Sequence, residues 1–328
     1  MEMEHLSEEE YIACYPQVNE SCRRQYRSRS ESVFIYTLFS SVSLLTVLLN
    51  LLVLISISHF RQLHTPTNAL VFSLALADLL VGLLVMPVEA IRTVESCWYL
   101  GSVVCALNFY SAYILISASL GNLVLISVDR YIAVCKPLLY PSQVTMTRTL
   151  VCSTINWACS ILYNTWLTFQ HLSNPDANNR CFGECVIIVS YINGMVDIVV
   201  TFITPCSFII ILYLKIFTVA ISQAQSLQAR VGCSKSSGEK TWRSERKAAR
   251  TLGIVVVFFL LCFTPYFCWS FSLDFSSLYF LTWILQFNSF LNPLIYAFFY
   301  PWFKRAIKHI FTLKILQTSS SEFKVMPD

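Results

Sequence analysis

The sequence has few charged residues and few glycines for its length. Of its 328 residues, 13% are charged, 55% are hydrophobic and only 8 are glycine. A soluble domain carries about 25% charged residues, so this chain cannot bury its apolar surface by folding in water. The shortage of charge excludes a soluble globular domain and predicts a single polytopic membrane domain.

Motifs of catalysis and transport are also absent. The chain has no His-Glu-x-x-His zinc motif and no Gly-x-Ser-x-Gly nucleophile elbow, so no enzyme and no catalytic residue is expected. Secondary transporters usually show internal repeats and glycine-broken midplane helices, whereas this chain shows no visible duplication. A transporter of organic cations is the alternative from a different functional class.

Seven apolar runs are present, and each is long enough to cross about 30 Å of hydrocarbon as a helix. The polar residues before them lack the basic start, apolar stretch and cleavage site of a removable signal peptide. We expect an N-terminal segment over residues 1–32, an all-α bundle of seven transmembrane helices over residues 33–300, and a short amphipathic eighth helix with a tail over residues 301–328. The runs cover roughly residues 33–58, 68–91, 102–128, 149–169, 186–219, 251–273 and 277–299.

The positions of Lys and Arg predict the orientation, because basic loops stay in the cytosol. Residues 215–250 hold eight basic side chains and the tail from Pro301 holds five, whereas the loops after spans 2, 4 and 6 hold only Arg92 and Arg180. The N-terminus is therefore predicted outside the cell. The net charge of +4 lies in loops that flank the membrane, so membrane lipid is an expected partner and nucleic acid is not.

Six of the thirteen cysteines fall on the predicted outer side, where disulfides persist. Six cysteines allow many pairings, and the residues alone do not choose among them. Asn19-Glu20-Ser21 on the same side is a glycosylation sequon, with Asn19 as the acceptor. The six cysteines are Cys14, Cys22, Cys97, Cys105, Cys181 and Cys185.

Polar residues lie inside the spans, where a charged side chain costs about 2.5 to 3.5 kcal/mol to insert. Asp78 lies in the middle of span 2, and Ser119, Asn288 and Asn292 lie at similar depth in spans 3 and 7. These four residues form a candidate site for a hydrated sodium ion, and no other metal or cofactor is expected. A network of hydrogen bonds that packs the helices is the alternative.

A charged motif ends span 3 at its predicted cytosolic end. Arg130 of Asp129-Arg130-Tyr131 can pair with Asp129 and with Glu245, which begins span 6 near the same face. We expect these pairs to form a latch that breaks when span 6 swings outward. Prolines kink spans 5, 6 and 7 and supply hinges, although such kinks also fit a transporter. They are Pro205, Pro265 and Pro293.

This pattern resembles the rhodopsin-like G-protein-coupled receptors along almost the whole chain. Within that superfamily, residues 288–303 resemble the span 7 signature of the trace amine-associated receptors. The matching positions are Asn50, Leu-Ala-x-x-Asp ending at Asp78, Cys105, Asp129-Arg130-Tyr131, Trp157, Pro205, Tyr213, Phe263-Thr264-Pro265 and Asn292-Pro293-Leu294-Ile295-Tyr296.

The resemblance implies an olfactory-type receptor for small amines. It implies coupling to a stimulatory heterotrimeric G protein, with Tyr213 and Tyr296 acting beside the latch residues, and a place in the plasma membrane of sensory-neuron cilia. It also implies disulfides that fasten the N-terminal segment and the second outer loop over the pocket. The implied pairs are Cys105 with Cys185, Cys14 with Cys181, and Cys22 with Cys97.

Two positions depart from the family pattern. The amine-binding aspartate of span 3 falls on Ala112, which cannot hold a cation, and Phe263 stands where most relatives carry Trp. Asp197, eight residues before Pro205 in the outer half of span 5, is the candidate replacement. A buried carboxylate beside aromatic rings suits an ammonium, and an aspartate on span 5 resembles one branch of the family expanded in fish. Pairing of Asp197 with a neighbouring polar group is the alternative.

The candidate ligand pocket therefore centres on Asp197. Its predicted lining comes from spans 2, 3, 6 and 7 and is mostly aromatic. The residues are Asp197, Tyr113, Phe109, Ala112, Ile116, Tyr266, Phe267, Phe263, Trp269, Glu89, Thr282 and Gln286.

Glu89 bears on the number of charges that the ligand carries. It follows Asp78 by eleven residues, close to three helical turns, so both side chains are predicted on one face of span 2. Carboxylates at Glu89 and Asp197 would suit a diamine or a guanidinium-bearing amine. Arg92 lies three residues after Glu89 and can neutralise it, so the sequence leaves both a monoamine and a diamine open.

Overall fold

The computed structural model describes residues 13–23, 27–95, 97–176, 179–229, 253–254, 256–268, 275–299, 301–317 and 320–325. Seven helical segments follow the seven predicted spans. Four of them are long and apolar enough to cross a membrane by length and composition: Arg29–His59, Pro66–Val94, Ser102–Cys135 and Tyr191–Ser222. The segments are span 1 (Arg29–His59), span 2 (Pro66–Val94), span 3 (Ser102–Cys135), span 4 (Met146–Ser173), span 5 (Tyr191–Ala229), span 6 (Val256–Cys268) and span 7 (Phe275–Phe299).

Polar residues in the loops begin several of these helices. The Ser28 hydroxyl accepts a hydrogen bond from the backbone N–H of Glu31 at the start of span 1. Thr65 does the same for Asn68 at span 2, where Pro66 occupies the first turn. Such caps satisfy backbone N–H groups that have no partner inside the helix, so they fix where each span leaves its loop.

Spans 2 and 5 each contain a π-helical turn, at Val81–Val85 and Ile198–Ile203. A π turn inserts one extra residue and rotates the positions beyond it by about 100° relative to a regular helix. The α-helical count that placed Asp78 and Glu89 on one face of span 2 therefore does not hold across Val81–Val85. Asp197 is the last residue before the π turn of span 5.

Span 3 lies at the centre of the bundle and packs against spans 2, 4 and 5. A close approach between spans 3 and 4 requires Gly121, because a Cβ there would collide with the Asn156 side chain. The main core joins the inner parts of the helices and includes the fully buried Leu74, Phe259 and Tyr296. Large apolar side chains on the outside of the bundle, such as Leu162 and Phe217, are exposed, as expected for a surface covered by lipid.

Three disulfides tie the outer end together, and two predicted pairings are wrong. Cys105 pairs with Cys185 as predicted, but Cys14 pairs with Cys97 and Cys22 with Cys181. The backbone explains the exchange. Residues 13 and 23 form an antiparallel bridge, and the N–H of Cys22 donates to the carbonyl of Phe182 at 2.9 Å, which brings Cys22 beside Cys181.

Tyr15 places the other cysteine of this hairpin. Its phenol donates a hydrogen bond to the carbonyl of Trp98 at 2.8 Å, which brings Cys14 to Cys97. The N–H of Trp98 in turn donates to the carbonyl of Gly183 at 2.8 Å. The N-terminal segment, the loop after span 2 and the loop after span 4 are thus joined at one place.

After span 7 the chain forms a helix at Pro301–Phe311. Its Phe303 and Ala306 are fully buried against the bundle, whereas Lys304 and Lys308 are exposed. One apolar face and one basic face suit a helix that lies along a membrane surface. The tail then turns back, and Val325 is buried in the main core.

Candidate ligand site and intracellular latch

The Asp197 carboxylate faces span 4 and the interior of the bundle. Its Oδ1 accepts a hydrogen bond from the Tyr163 hydroxyl at 3.1 Å. The Thr201 hydroxyl, one turn later on span 5, donates to the Asp197 backbone carbonyl at 2.7 Å and also interacts with its carboxylate. Asp197 is half-buried, and no salt bridge to it occurs within the described ranges. Within these ranges, hydroxyl groups are the partners that stabilise its negative charge.

Two phenols from spans 3 and 6 complete the surroundings of this carboxylate. Tyr113 and Tyr266 interact with each other, and the charge of Asp197 acts on both. The structure thus brings together the predicted acid and two of its predicted aromatic partners. Tyr163, which completes the group, was not predicted.

An aromatic wall continues from Tyr266 along span 6. Its ring meets Phe267 edge-on at a centroid distance of 5.4 Å, and Phe267 stacks on Phe202 of span 5 at 4.4 Å. Phe263 stacks on Phe259 at 3.9 Å one turn deeper. Phe263 and Phe267 are also stacked, at 6.5 Å, so a continuous row of rings connects Tyr266 to the core of the bundle.

Three of the predicted ligand-pocket residues lie beside the predicted sodium site. Ile116, Phe263 and Gln286 line a small cavity together with two predicted sodium-site residues, Ser119 and Asn288. Ala112 packs elsewhere, beside the apolar cluster that contains Met86, Leu115 and Trp283. Thr282 is half-buried in span 7, and Trp269 lies outside the described residues.

Glu89 is buried and already paired. Its carboxylate accepts hydrogen bonds from Arg92 Nε at 3.1 Å to each oxygen and from Arg92 Nη2 at 2.7 Å. Asn108 of span 3 donates a further bond from Nδ2 at 2.7 Å. Phe109 lies against the guanidinium, with Arg92 Cζ 4.9 Å from its ring centroid. Of the two interpretations left open by the sequence, neutralisation by Arg92 is the one that matches this geometry.

The predicted sodium-site residues converge in the middle of the bundle. Asn292 Nδ2 donates to Asp78 Oδ2 at 2.8 Å, and Ser119 interacts with the same carboxylate. Asp78 and Asn292 are fully buried, while Asp78 Oδ1 and Asn292 Oδ1 lack hydrogen-bond partners. Buried oxygen atoms without donors fit a hard cation, which takes oxygen ligands. In the described parts of the chain, no cluster of three His, Cys, Asp or Glu residues could hold another metal.

The latch at the inner end of span 3 involves more partners than predicted. Arg130 donates to Asp129 Oδ2 from Nε at 2.9 Å and from Nη2 at 2.6 Å. Asp129 also accepts from Thr67 of span 2 at 2.9 Å and from the Tyr140 phenol at 2.9 Å. Glu245, the predicted partner on span 6, lies outside the described residues.

Tyr140 belongs to a short helix after span 3, Tyr140–Gln143. Burial and the charge of Asp129 raise the pKa of Tyr140, so its phenol keeps the proton that it donates. Of the other predicted coupling residues, Tyr131 and Tyr213 pack against the same buried cluster between spans 3 and 5. Tyr296 is 1% exposed in the main core.

Comparison with known proteins identifies the family. Residues 49–296 match the family described as 7 transmembrane receptor (rhodopsin family). Trace amine-associated receptor 13c of Danio rerio is 40% identical over 336 residues, which cover 98% of both chains. Trace amine-associated receptor 7e of Mus musculus is 41% identical and aligns with 96% of this chain and 92% of its own length. This chain belongs to the trace amine-associated receptors.

Membership confirms the seven-helix architecture and the multi-pass membrane location. The relatives are receptors and not enzymes, and receptors of this family have a ligand and a G protein as partners. Sequence interpretation missed Tyr163, Asn108 and Tyr140. No local pattern singles out Tyr163, which lies three residues from the exposed, lipid-facing Trp166.

Proposed function

We propose that this receptor senses small amines through Asp197 and signals by outward movement of span 6 to a stimulatory G protein. The observation that carries the proposal is the Asp197 carboxylate, held by Tyr163 at 3.1 Å and adjacent to Tyr113 and Tyr266. Trace amine-associated receptors are the relatives that match along nearly the full chain, which supports an amine as the ligand.

The negative charge of Asp197 is solvated only in part. A half-buried carboxylate loses part of its hydration, and hydroxyl partners compensate only in part. An organic ammonium supplies the missing opposite charge through a charge-assisted hydrogen bond. Aromatic faces beside it add a cation–π attraction of about 0.5 to 2 kcal/mol each, and Tyr113 and Tyr266 are the candidates for such faces. Ala112 leaves span 3 without a competing acid at the usual position.

The ligand site contacts the helix that has to move. Tyr266 belongs to span 6, and the row of rings through Phe263 and Phe259 leads from it into the core. A ligand activates by binding the outward-swung state of span 6 more tightly than the closed state. Arg130 and Asp129 then separate at the inner end, which exposes the inner loops to a G protein.

Location and modification follow from the same topology. The three disulfides join segments at one end of the bundle, and Asn19 is exposed in the turn between Cys14 and Cys22. An N-terminus outside the plasma membrane, glycosylated at Asn19, is consistent with both. Sodium at Asp78 would stabilise the closed state, and olfactory cilia are the location expected for the family.

The decisive experiment uses cells that express the full chain with a cAMP reporter and are exposed to a panel of amines. Asp197→Asn should abolish the response, whereas Asp176→Asn, at an exposed carboxylate in the loop after span 4, should leave it unchanged. Surface labelling confirms that both variants reach the membrane. A full amine response from Asp197→Asn would refute the site. Uptake of radiolabelled amine without a reporter signal would favour the organic-cation transporter instead.

A further inference from the structure

The geometry points to Arg92 as a specificity-determining residue that withdraws Glu89 from ligand binding and restricts the pocket to amines with one positive charge. The inference rests on the proposed amine function and deepens it, because it names the class of amine. The evidence for it is a buried arrangement of four side chains, which we call the charge clamp: Glu89, Arg92, Asn108 and Phe109.

Every hydrogen bond that the structure records to the Glu89 carboxylate comes from another member of the charge clamp. Its oxygens accept three bonds from Arg92 and one from Asn108, at 2.7 to 3.1 Å. The side chains of Arg92 and Glu89 are 11% and 3% exposed. A bidentate pair of this kind is strong and directional, so a ligand ammonium would have to displace a guanidinium to reach Glu89.

Residues of span 3 also hold the ion pair between Glu89 and Arg92. Phe109 supports the guanidinium face and belongs to the cluster formed by Trp98 and the disulfide between Cys105 and Cys185. Asn108 and Phe109 both lie in the first turns of span 3, which that disulfide fastens. The pair is therefore held between the end of span 2 and the start of span 3.

The clamp and Asp197 border the same part of the bundle. The charges of Arg92, Glu89 and Asp197 all act on the Tyr266 phenol. A ligand with a single ammonium gains an opposite charge at Asp197. A second ammonium at the far end of the molecule would lose hydration beside Glu89, whose charge Arg92 already neutralises, and would gain no free opposite charge there.

A pair of probes that differ only in the second charge tests this directly. The measurement is the concentration for half-maximal cAMP response to n-hexylamine and to 1,6-diaminohexane in cells that express the full receptor. We expect the wild type to need at least about tenfold more diamine than monoamine, which corresponds to about 1.4 kcal/mol. Equal or greater sensitivity to the diamine, or no response to n-hexylamine, would overturn the inference.

Three variants then separate charge from packing. Arg92→Gln frees the Glu89 charge and should reduce the diamine-to-monoamine ratio about tenfold. Arg92→Lys keeps the positive charge and should preserve the wild-type ratio. The double variant Glu89→Gln/Arg92→Gln is neutral again and should also preserve it, although it loses the same packing as Arg92→Gln.

The outcomes distinguish this inference from the proposed function. An unchanged ratio in Arg92→Gln at normal surface expression, or the same gain of diamine response in the double variant, overturns the role of the clamp. If Arg92→Gln does not reach the surface, the wild-type ratio and Arg92→Lys still decide the matter. Loss of both responses in Asp197→Asn supports the proposed function irrespective of the ratio, and retention of both refutes it.

Discussion

The Tyr163 hydroxyl donates a hydrogen bond to Asp197 across the boundary between spans 4 and 5, at 3.1 Å. This bond orients the carboxylate before any ligand arrives. Preorganisation of this kind reduces the entropy that binding has to overcome. Span 4 thus takes part in the proposed ligand site without contributing an acid.

Tyr163→Phe removes this hydrogen bond and keeps the ring. A hydrogen bond to a charged group contributes about 1.5 to 3 kcal/mol, part of which is recovered when water or ligand replaces the hydroxyl. We therefore expect about a tenfold loss of amine potency in the cAMP assay, with the maximal response retained. Phe169→Leu, at an exposed aromatic on the same helix, is the control and should behave like the wild type. Equal potency of the two variants would contradict a positioning role for Tyr163.

Tyr140→Phe should raise signalling in the absence of ligand. The phenol donates to Asp129 Oδ1 at 2.9 Å and so stabilises the form in which Asp129 holds Arg130. Loss of a bond to a charged group shifts such an equilibrium by about 1.5 to 3 kcal/mol at most, so basal cAMP should rise several-fold. Ser142→Ala, at an exposed hydroxyl of the same short helix, provides the control. Basal activity that stays at the wild-type level would show that Tyr140 does not stabilise the closed state.

The architecture could be predicted from the sequence because hydrophobic length and basic loops are local signals. Asp78, Asp129 and Asp197 could be singled out individually, since a charge inside a span always needs a structural or functional reason. What depends on register could not be predicted. The π turn Val81–Val85 changes the face on which Glu89 lies, and an i,i+3 spacing alone does not show that Arg92 pairs with it.

Contacts between segments that are distant in the sequence could not be predicted either. Tyr163 and Asp197 are 34 residues apart, and Tyr140 meets Asp129 only through the fold of the loop after span 3. The cysteine pairs were exchanged for the same reason, because the hairpin that places Cys14 and Cys22 is stabilised by the loop carbonyl of Phe182.

The disulfide pattern gives a test that needs no ligand. Cys14→Ser/Cys97→Ser removes one complete bridge, whereas Cys14→Ser/Cys181→Ser breaks two bridges and leaves Cys22 and Cys97 without their partners. We expect the first double variant to reach the cell surface at a higher level than the second. Peptide mapping under non-reducing conditions should recover fragments that join Cys22 to Cys181. A Cys22–Cys97 fragment would instead support the pairing implied by family resemblance.

The inner surface carries a tail whose docking should depend on pH. The Ser320 hydroxyl and His59 Nε2 lie 2.7 Å apart, and His309 stacks on Phe323 at a centroid distance of 4.4 Å. Burial, together with the charges of Lys314 and His59, lowers the pKa of His309. Docking of the tail therefore favours the neutral imidazole of His309. When the tail is undocked, His309 binds a proton at its ordinary pKa of about 6.5.

The sign of the effect follows from this difference. Above the ordinary pKa, His309 is neutral in both states and docking is fully stable. As the pH falls from there towards the lowered pKa of the docked state, His309 gains a proton in the undocked state and docking weakens. Hydrogen exchange of residues 314–325, corrected for the intrinsic rate, should show less protection at pH 5.5 than at pH 7.5. His309→Phe keeps the stacking without a titrating group and should remove this difference. A pH effect of the same size in His309→Phe would assign the titration to another group.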